Sequence, residues 1–319
     1  CLCLAPTYEL ALQIGKVVET MGKYLPGVEI VFAIRGNRLS RGAKLNQQIV
    51  IGTPGTCLDW IEKFKAFDPS QLKVFVLDEA DVMIAEQGHQ DQSTRVNRKL
   101  KPDCQRLLFS ATYEEDVMSF AESLIPDALT ITVRVDQQTL DNIKQFYVEC
   151  QSQEEKFRAL CNIYGTLTIG QSIIFTHTKA SARWLAQKMR EEGHLVALLS
   201  GELPIEERAL IIQRFKEAKE KVLITTNVAA RGIDVAQVTI VVNYSLPLLV
   251  PSKTADFETY LHRIGRTGRF GKAGIAINFI DGAQSRATLK AIEDHFQKPI
   301  IKLDTEDIDA LEAIENEKS

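Results

Sequence analysis

The feature that most constrains this chain is a repeated change of hydrophobic period. Eight short apolar runs recur along it: QIVIG (48–52), VFVL (74–77), RLLF (106–109), SIIF (172–175), LVALL (195–199), KVLIT (221–225), TIVVN (239–243) and GIAINFI (274–280). Apolarity within each is nearly continuous rather than alternating. Such runs suit strands covered on both faces, as in a parallel sheet with crossover helices above and below. Helical patterns fill the intervals. SARWLAQKMREEG (181–193), for example, sets Trp184, Leu185 and Met189 along one face, with Ser181 as its capping residue and Gly193 as its stop. The alternation predicts an α/β, doubly wound architecture.

A chain of 319 residues has room for two such domains. The series restarts near residue 140, after the strand candidate ALTITV (128–133), where RVDQQTLDN (134–142) is polar and lacks a period. The expected division is a first domain at 1–134, a linker at 135–142 and a second domain at 143–319. No apolar run approaches the roughly 18–20 residues of a membrane-spanning helix, and no signal peptide opens the chain, so no membrane insertion is expected. The six cysteines show no CxxC pair and fit a reducing compartment better than a disulfide framework. The net charge of −4 is uneven: residues 303–319 carry seven acids and one lysine, leaving the first 302 residues at +2. Local basic clusters, not the total, then bear on polyanion binding. Within the acidic tail, Ile308, Leu311 and Ile314 at helical spacing predict a helix packed on the second domain.

Several strand ends carry chemistry-bearing residues. VFVL runs into Asp78, Glu79 and Asp81, and ligands of open parallel sheets bind beyond the carboxyl ends of strands. Asp78 suits Mg²⁺ held through water, and Glu79 beside it suits the orientation or deprotonation of an attacking water. The next strand ends in Ser110 and Thr112 (SAT), hydroxyls able to bond a neighbouring carboxylate, with Asp81 the candidate. HRIGRTGRFGK (262–272) spaces Arg263, Arg266 and Arg269 by three residues among glycines, a pattern that can converge on one polyanion. TTNVAARGIDV (225–235) offers hydroxyls, a cation and an anion after KVLI, while PTYELALQ (6–13) and IGTPGT (51–56) place threonines at strand-to-helix turns, natural phosphate binders.

In order along the chain, PTYELALQ, TPG, DEAD, SAT, IIFTHT (173–178), TTNVAARGIDV and HRIGRTGRFG form one series. It closely resembles the core of the DEAD-box ATP-dependent RNA helicases, over nearly all of the chain up to about residue 300. Tyr8, Asn227, QGHQDQS (87–93) and the long segment LPLLVPSKTADFETY (246–260) resemble the nuclear-pore mRNA-export subgroup. The resemblance implies two RecA-like parallel-sheet domains in tandem, ATP and Mg²⁺ as cofactors, and RNA-stimulated hydrolysis that unwinds short duplexes or remodels ribonucleoproteins. It implies that Asp78 and Glu79 handle Mg²⁺ and the hydrolytic water. Asp81, Ser110, Thr112 and His262 would couple the ATP and RNA sites. Arg266 and Arg269 would meet the γ-phosphate, with Gly232 and Asp234 at the nucleotide. Pro6, Thr7, Glu9, Gly36, Thr53, Pro54 and Gly55 in the first domain would line single-stranded RNA through its backbone, as would Thr176, Gly201, Arg208, Thr225 and Arg231 in the second. It further implies a monomer that works with nuclear-pore and export regulators, cytoplasmic and nuclear in location.

The sequence also departs from the family pattern. Ile205 stands where the family's Q-x-x-R element begins, Thr56 where an arginine is frequent, and Ser245 where Asp commonly precedes Leu-Pro. No G-x-x-x-x-G-K-[ST] occurs; GKVVETMGKY (15–24) has the wrong spacing, with Tyr24 in place of Ser or Thr. In the family that loop precedes the PT-x-EL position, so the chain, opening at Cys1 in CLCLA, is expected to be N-terminally truncated, with its first domain incomplete and little hydrolysis of its own. The alternative is a binding fragment, for RNA or protein, without ATPase activity.

Overall fold

The computed structural model describes residues 1–40, 42–85, 88–132, 141–226, 235, 237–268 and 272–316. The chain divides into two compact units, Cys1–Ile131 and Thr132–Ser319.

The first unit holds a five-stranded sheet of β1 (Leu2–Leu4), β2 (Ile30–Ala33), β3 (Ile49–Gly52), β4 (Val74–Leu77) and β5 (Gln105–Leu108), in the order β2-β3-β1-β4-β5. Every pairing is parallel. Both faces are covered. Leu2 and Leu4 enter one core with Val50, Phe75 and Leu77, while Cys3, between them, enters the other with Ile51 and Leu10 of helix α1 (Tyr8–Gly22). Helix α2 (Pro54–Glu62) follows β3, and the six-residue α3 (Ala80–Ala85) follows β4. Helices α4 (His89–Asn97) and α5 (Glu115–Leu124) complete the unit.

The second unit is a seven-stranded parallel sheet in the order β12-β6-β11-β10-β7-β9-β8. Its strands are β6 (Ile143–Glu149), β7 (Gln171–Phe175), β8 (Val196–Leu199), β9 (Val222–Thr225), β10 (Val238–Asn243), β11 (Gly274–Ile280) and β12 (Ile301–Lys302). Helices α6 (Gln153–Thr166), α7 (Lys179–Glu191), α8 (Ile205–Lys216), α9 (Phe257–Ile264), α10 (Ala283–Phe296) and α11 (Ile308–Asn316) cover its two faces. The expected tail helix is α11. Leu311 and Ile314 enter the core beside α6, whereas Ile308 stays exposed.

The α/β expectation, with all eight apolar runs as strands, holds. Two local expectations are corrected, and several strands fall outside the eight runs. ALTITV forms no strand over its described residues 128–132; Leu129 and Ile131 are 90% and 81% exposed and β-propensity finds no partner there. Helix α7 starts earlier than expected: Thr178, extended at φ −122°, accepts the backbone N–H of Ser181, so Ser181 lies inside the first turn. Strands β1, β2, β6 and β12 lie outside the eight runs; in β6, Lys144, Gln145 and Glu149 interrupt the apolar pattern.

Candidate functional site

In the first unit the loops after β4 and β5 are fastened to each other. The Asp78 N–H donates to the Leu4 carbonyl at 3.0 Å, carrying the ladder one residue beyond β4. The Phe109 N–H donates to Leu77 O at 2.8 Å, and the Ala80 N–H returns to Phe109 O at 3.0 Å. Between these anchors Glu79 is held at φ +53°, a left-handed conformation that a residue with a Cβ adopts only when its surroundings impose it. Its N–H donates to Asp78 Oδ1 at 3.0 Å.

Asp81 is the hub of this turn. Its N–H donates to Ser110 Oγ at 3.2 Å, and its Oδ2 accepts the Thr112 hydroxyl at 3.2 Å. SAT and DEAD thus meet through one carboxylate. Burial raises the Asp78 carboxyl above its usual range, and the adjacent Glu79 and Asp81 carboxylates raise it further, against the opposing hydrogen bond from the Glu79 N–H. A partly buried carboxylate with two acidic neighbours is an oxygen-rich environment that a hard divalent cation would relieve, so these residues fit Mg²⁺.

The other first-unit candidates gather at the carboxyl ends of β1, β2 and β3. Thr7 caps α1, accepting the Leu10 N–H at 3.2 Å, with Glu9 in the first turn. Gly36 takes φ +94° in the turn after β2. Thr53 precedes α2 but spends its hydroxyl on Thr56 Oγ1 at 3.2 Å rather than on the helix end; Pro54 opens that helix and Gly55 faces Gln92. Two helix N-termini and a glycine turn on three adjacent strands provide donors for backbone phosphates.

In the second unit Thr176 and Gly201 follow β7 and β8 and Thr225 closes β9, again at carboxyl ends, while Arg208 lies on α8. Both threonines are fully buried. The Thr176 hydroxyl donates to Thr178 O at 3.2 Å and that of Thr225 to Thr226 O at 3.1 Å, so their side chains serve the loop's own backbone. His262 lies on α9, its Nε2 3.8 Å from Glu258 Oε1. Arg266 follows the helix and donates from Nε to His262 O at 2.8 Å. Arg231, Gly232, Asp234 and Arg269 lie outside the described residues.

One sequence expectation fails here. Arg263 does not face a polyanion with its neighbours. It is 2% exposed, donates from Nη1 to Asn243 Oδ1 at 2.9 Å and to Ser245 O at 2.7 Å, and sits 4.9 Å over the Phe175 ring. Burial lowers its pKa to about 9, still high enough to keep it charged at neutral pH. The network continues unanticipated from Asn243 Nδ2 to Asn278 Oδ1 at 2.9 Å, from Asn278 Nδ2 to the Tyr260 hydroxyl at 3.1 Å, and from Tyr260 to Gln145 Oε1 at 2.7 Å. Its sequence signal is a lone Asn closing the apolar run TIVVN and another inside GIAINFI.

Comparison with known proteins gives concordant matches. A family described as DEAD/DEAH box helicase matches residues 1–120, and one described as helicase conserved C-terminal domain matches residues 155–271. Human ATP-dependent RNA helicase DDX19A is 58% identical over 316 residues, covering 99% of this chain and 66% of that protein. Rat ATP-dependent RNA helicase DDX25 is 59% identical over 315 residues, covering 99% and 65%. The chain therefore spans slightly less than two thirds of these relatives' length. Among solved structures, S. cerevisiae Dbp5 bound to RNA and ADP BeF3 is 43% identical with a TM-score of 0.91, over 99% of this chain and 80% of that one. A DEAD box protein from Methanococcus jannaschii is 33% identical with a TM-score of 0.52, over 95% and 79%. The two parallel-sheet units are those of tandem RecA-like helicase domains, and the chain belongs to the DEAD-box helicase family.

Proposed function

We propose that this chain is the working core of an ATP-dependent RNA helicase acting in mRNA export. The observation that carries the reading is the carboxylate turn 78–81, held in an uncommon backbone conformation and braced on the SAT loop through Asp81, Ser110 and Thr112. An acid pair fixed this firmly at a strand's carboxyl end suits phosphoryl transfer, where positioning and charge stabilisation do most of the catalysis.

In this reading Asp78 holds Mg²⁺ through water, and the metal supplies charge neutralisation at the nucleotide phosphates when bound. Glu79 orients the attacking water and takes its proton at the side-chain carboxylate. Asp81 keeps the turn in register with Ser110 and Thr112. From the second unit, Arg266 and Arg269 contribute positive charge at the γ-phosphate, Gly232 and Asp234 contact the nucleotide, and His262 links nucleotide state to RNA binding. RNA is gripped by its sugar-phosphate backbone at Pro6, Thr7, Glu9, Gly36, Thr53, Pro54 and Gly55, and at Thr176, Gly201, Arg208, Thr225 and Arg231. Dbp5 structures bound to Gle1 and IP6, and to Nup159, support partners of the same kind for this chain; a monomeric form and a place at the nuclear pore belong to the same proposal.

The test joins this chain behind the upstream segment of human DDX19A, where the family places its phosphate loop, and measures ATP hydrolysis with and without single-stranded RNA. RNA-stimulated turnover that falls at least a hundredfold in Glu79→Gln, with RNA binding retained, is expected. Hydrolysis that ignores RNA, or survives Glu79→Gln, overturns the reading.

A further inference from the structure

The outer strand of the second sheet carries a feature with no part in the proposed catalysis. Strand β8 is an edge strand among the described residues. A groove of about 530 Å³ runs along it between α7 and α8. The hydrogen-bonding direction of each β8 residue follows from its partners. The Leu195 carbonyl accepts from Lys221 and Val222, at 2.9 and 3.2 Å, so position 195 faces β9. The Val196 carbonyl instead accepts from Arg190 Nη2 at 3.0 Å, so position 196 faces outward. Successive residues of a strand alternate, so Leu198 presents both its N–H and its C=O to the groove.

The walls around that open rung are apolar at the centre and charged at both ends. Leu210 on α8 is 58% exposed beside Leu203 and Ile211. At the carboxyl end of β8, Glu202 is bonded to Lys179 at 2.8 Å and Arg183 at 3.4 Å. At its amino end Glu220 pairs with Arg214 at 2.5 Å. The lining comprises four cations and three carboxylates, Glu207 among them. With most of these charges already paired to one another, the groove offers a nucleic-acid backbone little net attraction. It complements a chain that brings its own backbone donor and acceptor, apolar side chains at alternate positions and few charges.

We propose that this groove binds an extended segment of a partner protein, which adds a strand outside β8 and sets an apolar side chain against Leu210. At about 3.3 Å per residue, positions 196–200 offer room for four to five partner residues. Main-chain bonds to Leu198 supply the pairing, and the apolar wall selects the side chains. The Arg190 guanidinium on Val196 O closes that one rung, which limits pairing at the amino end of the strand.

The test selects binders of the full chain from a random octapeptide library displayed on phage. Enriched sequences with apolar residues at alternate positions are expected, which lose at least tenfold in affinity for Leu210→Glu. That substitution is at an exposed site and leaves the fold intact, as circular dichroism verifies. The bound peptide should slow amide exchange at Leu198 at least tenfold, and N-methylation of the peptide residue paired with it should abolish binding. A saturating single-stranded oligouridylate should not displace the peptide. Enrichment without alternation, equal affinity for Leu210→Glu, unchanged exchange at Leu198, displacement by the oligouridylate, or no enrichment each overturns the proposal.

Discussion

Arg263 offers the sharpest test of how the arginine segment is built, because its sequence context resembles a ligand site and its surroundings do not. Replacing it by Met keeps the length and apolar stem but removes every donor. Ser245 O and Asn243 Oδ1 then lose bonds of 2.7 and 2.9 Å from a charged group in a buried setting. Leaving a buried acceptor unsatisfied costs about 1–3 kcal/mol each, and loss of the stacking on Phe175 adds about 1 kcal/mol. Relief of the buried charge, which lowers the Arg263 pKa to about 9, offsets part of this. A net loss of about 3 kcal/mol remains, a large share of a domain's ordinary stability. For a unit of this size that corresponds to a melting temperature lower by roughly 6–12 °C. Urea denaturation followed by Trp184 emission in a Trp60→Phe background reports on the second unit, since Trp184 packs there against Phe157. A loss below about 1 kcal/mol would refute the reasoning, showing that the two acceptors find other donors.

Three further outcomes follow from local geometry. Glu79→Gly should raise the stability of the first unit by about 1 kcal/mol, because glycine accepts φ +53° without strain, while any hydrolysis that depends on this carboxylate is lost; thermal denaturation beside a turnover assay checks both. Thr178→Ala should cost about 1 kcal/mol and Ser181→Ala less than about half of that, since Thr178 accepts the Ser181 N–H at 3.0 Å; equal losses in chemical denaturation would return the cap to Ser181. Gly52→Ala would set a Cβ 2.1 Å from the Ala33 carbonyl oxygen, so β2 and β3 must separate; a loss of about 3 kcal/mol or a failure to accumulate soluble protein is expected.

The strands buried on both faces were legible because nothing but apolar residues can occupy them. Where that condition relaxes, the pattern fades. In β6, Gln145 is buried yet polar because Tyr260, over a hundred residues away, donates to it, a partner no local window contains. ALTITV shows the converse: β-branched residues satisfy local propensity, but Leu129 and Ile131 have no sheet to cover. Thr178 and Ser181 lie three apart and either hydroxyl could cap a helix; the chain's extended conformation at Thr178 decides between them. The meeting of Asp81 with Ser110 and Thr112 was readable because both loops leave adjacent parallel strands, β4 and β5, in register. Arg263 and Arg266 have the same residue type and nearly the same context, and only packing separates the one that holds the sheet from its neighbour.

In the second unit the arginine segment does not lie wholly at the carboxyl ends of the strands. Strands β10 and β11 are parallel neighbours, so the connection between them must bring the chain back to the amino end. Residues 262–268, HRIGRTG, lie on that return. Thr267 already donates to Val238 O at the start of β10, whereas Arg263, one turn earlier, still reaches Asn243 and Ser245 at its carboxyl end. The six residues of β10 separate these ends by about 20 Å. Thr176, Gly201 and Thr225 lie at the carboxyl end, while the backbone that follows Arg266 lies at the other. A single small ligand cannot engage both ends, so the proposed function needs its two ligands at separate places on this unit. If the proposed function holds, helix α9 joins the two places, because a shift of its backbone that repositions Arg266 also strains the Arg263 bonds to Asn243 and Ser245. Arg263→Met should therefore weaken the mutual dependence of RNA and nucleotide binding beyond its effect on either alone, and equal coupling in the two proteins would remove α9 from the linkage.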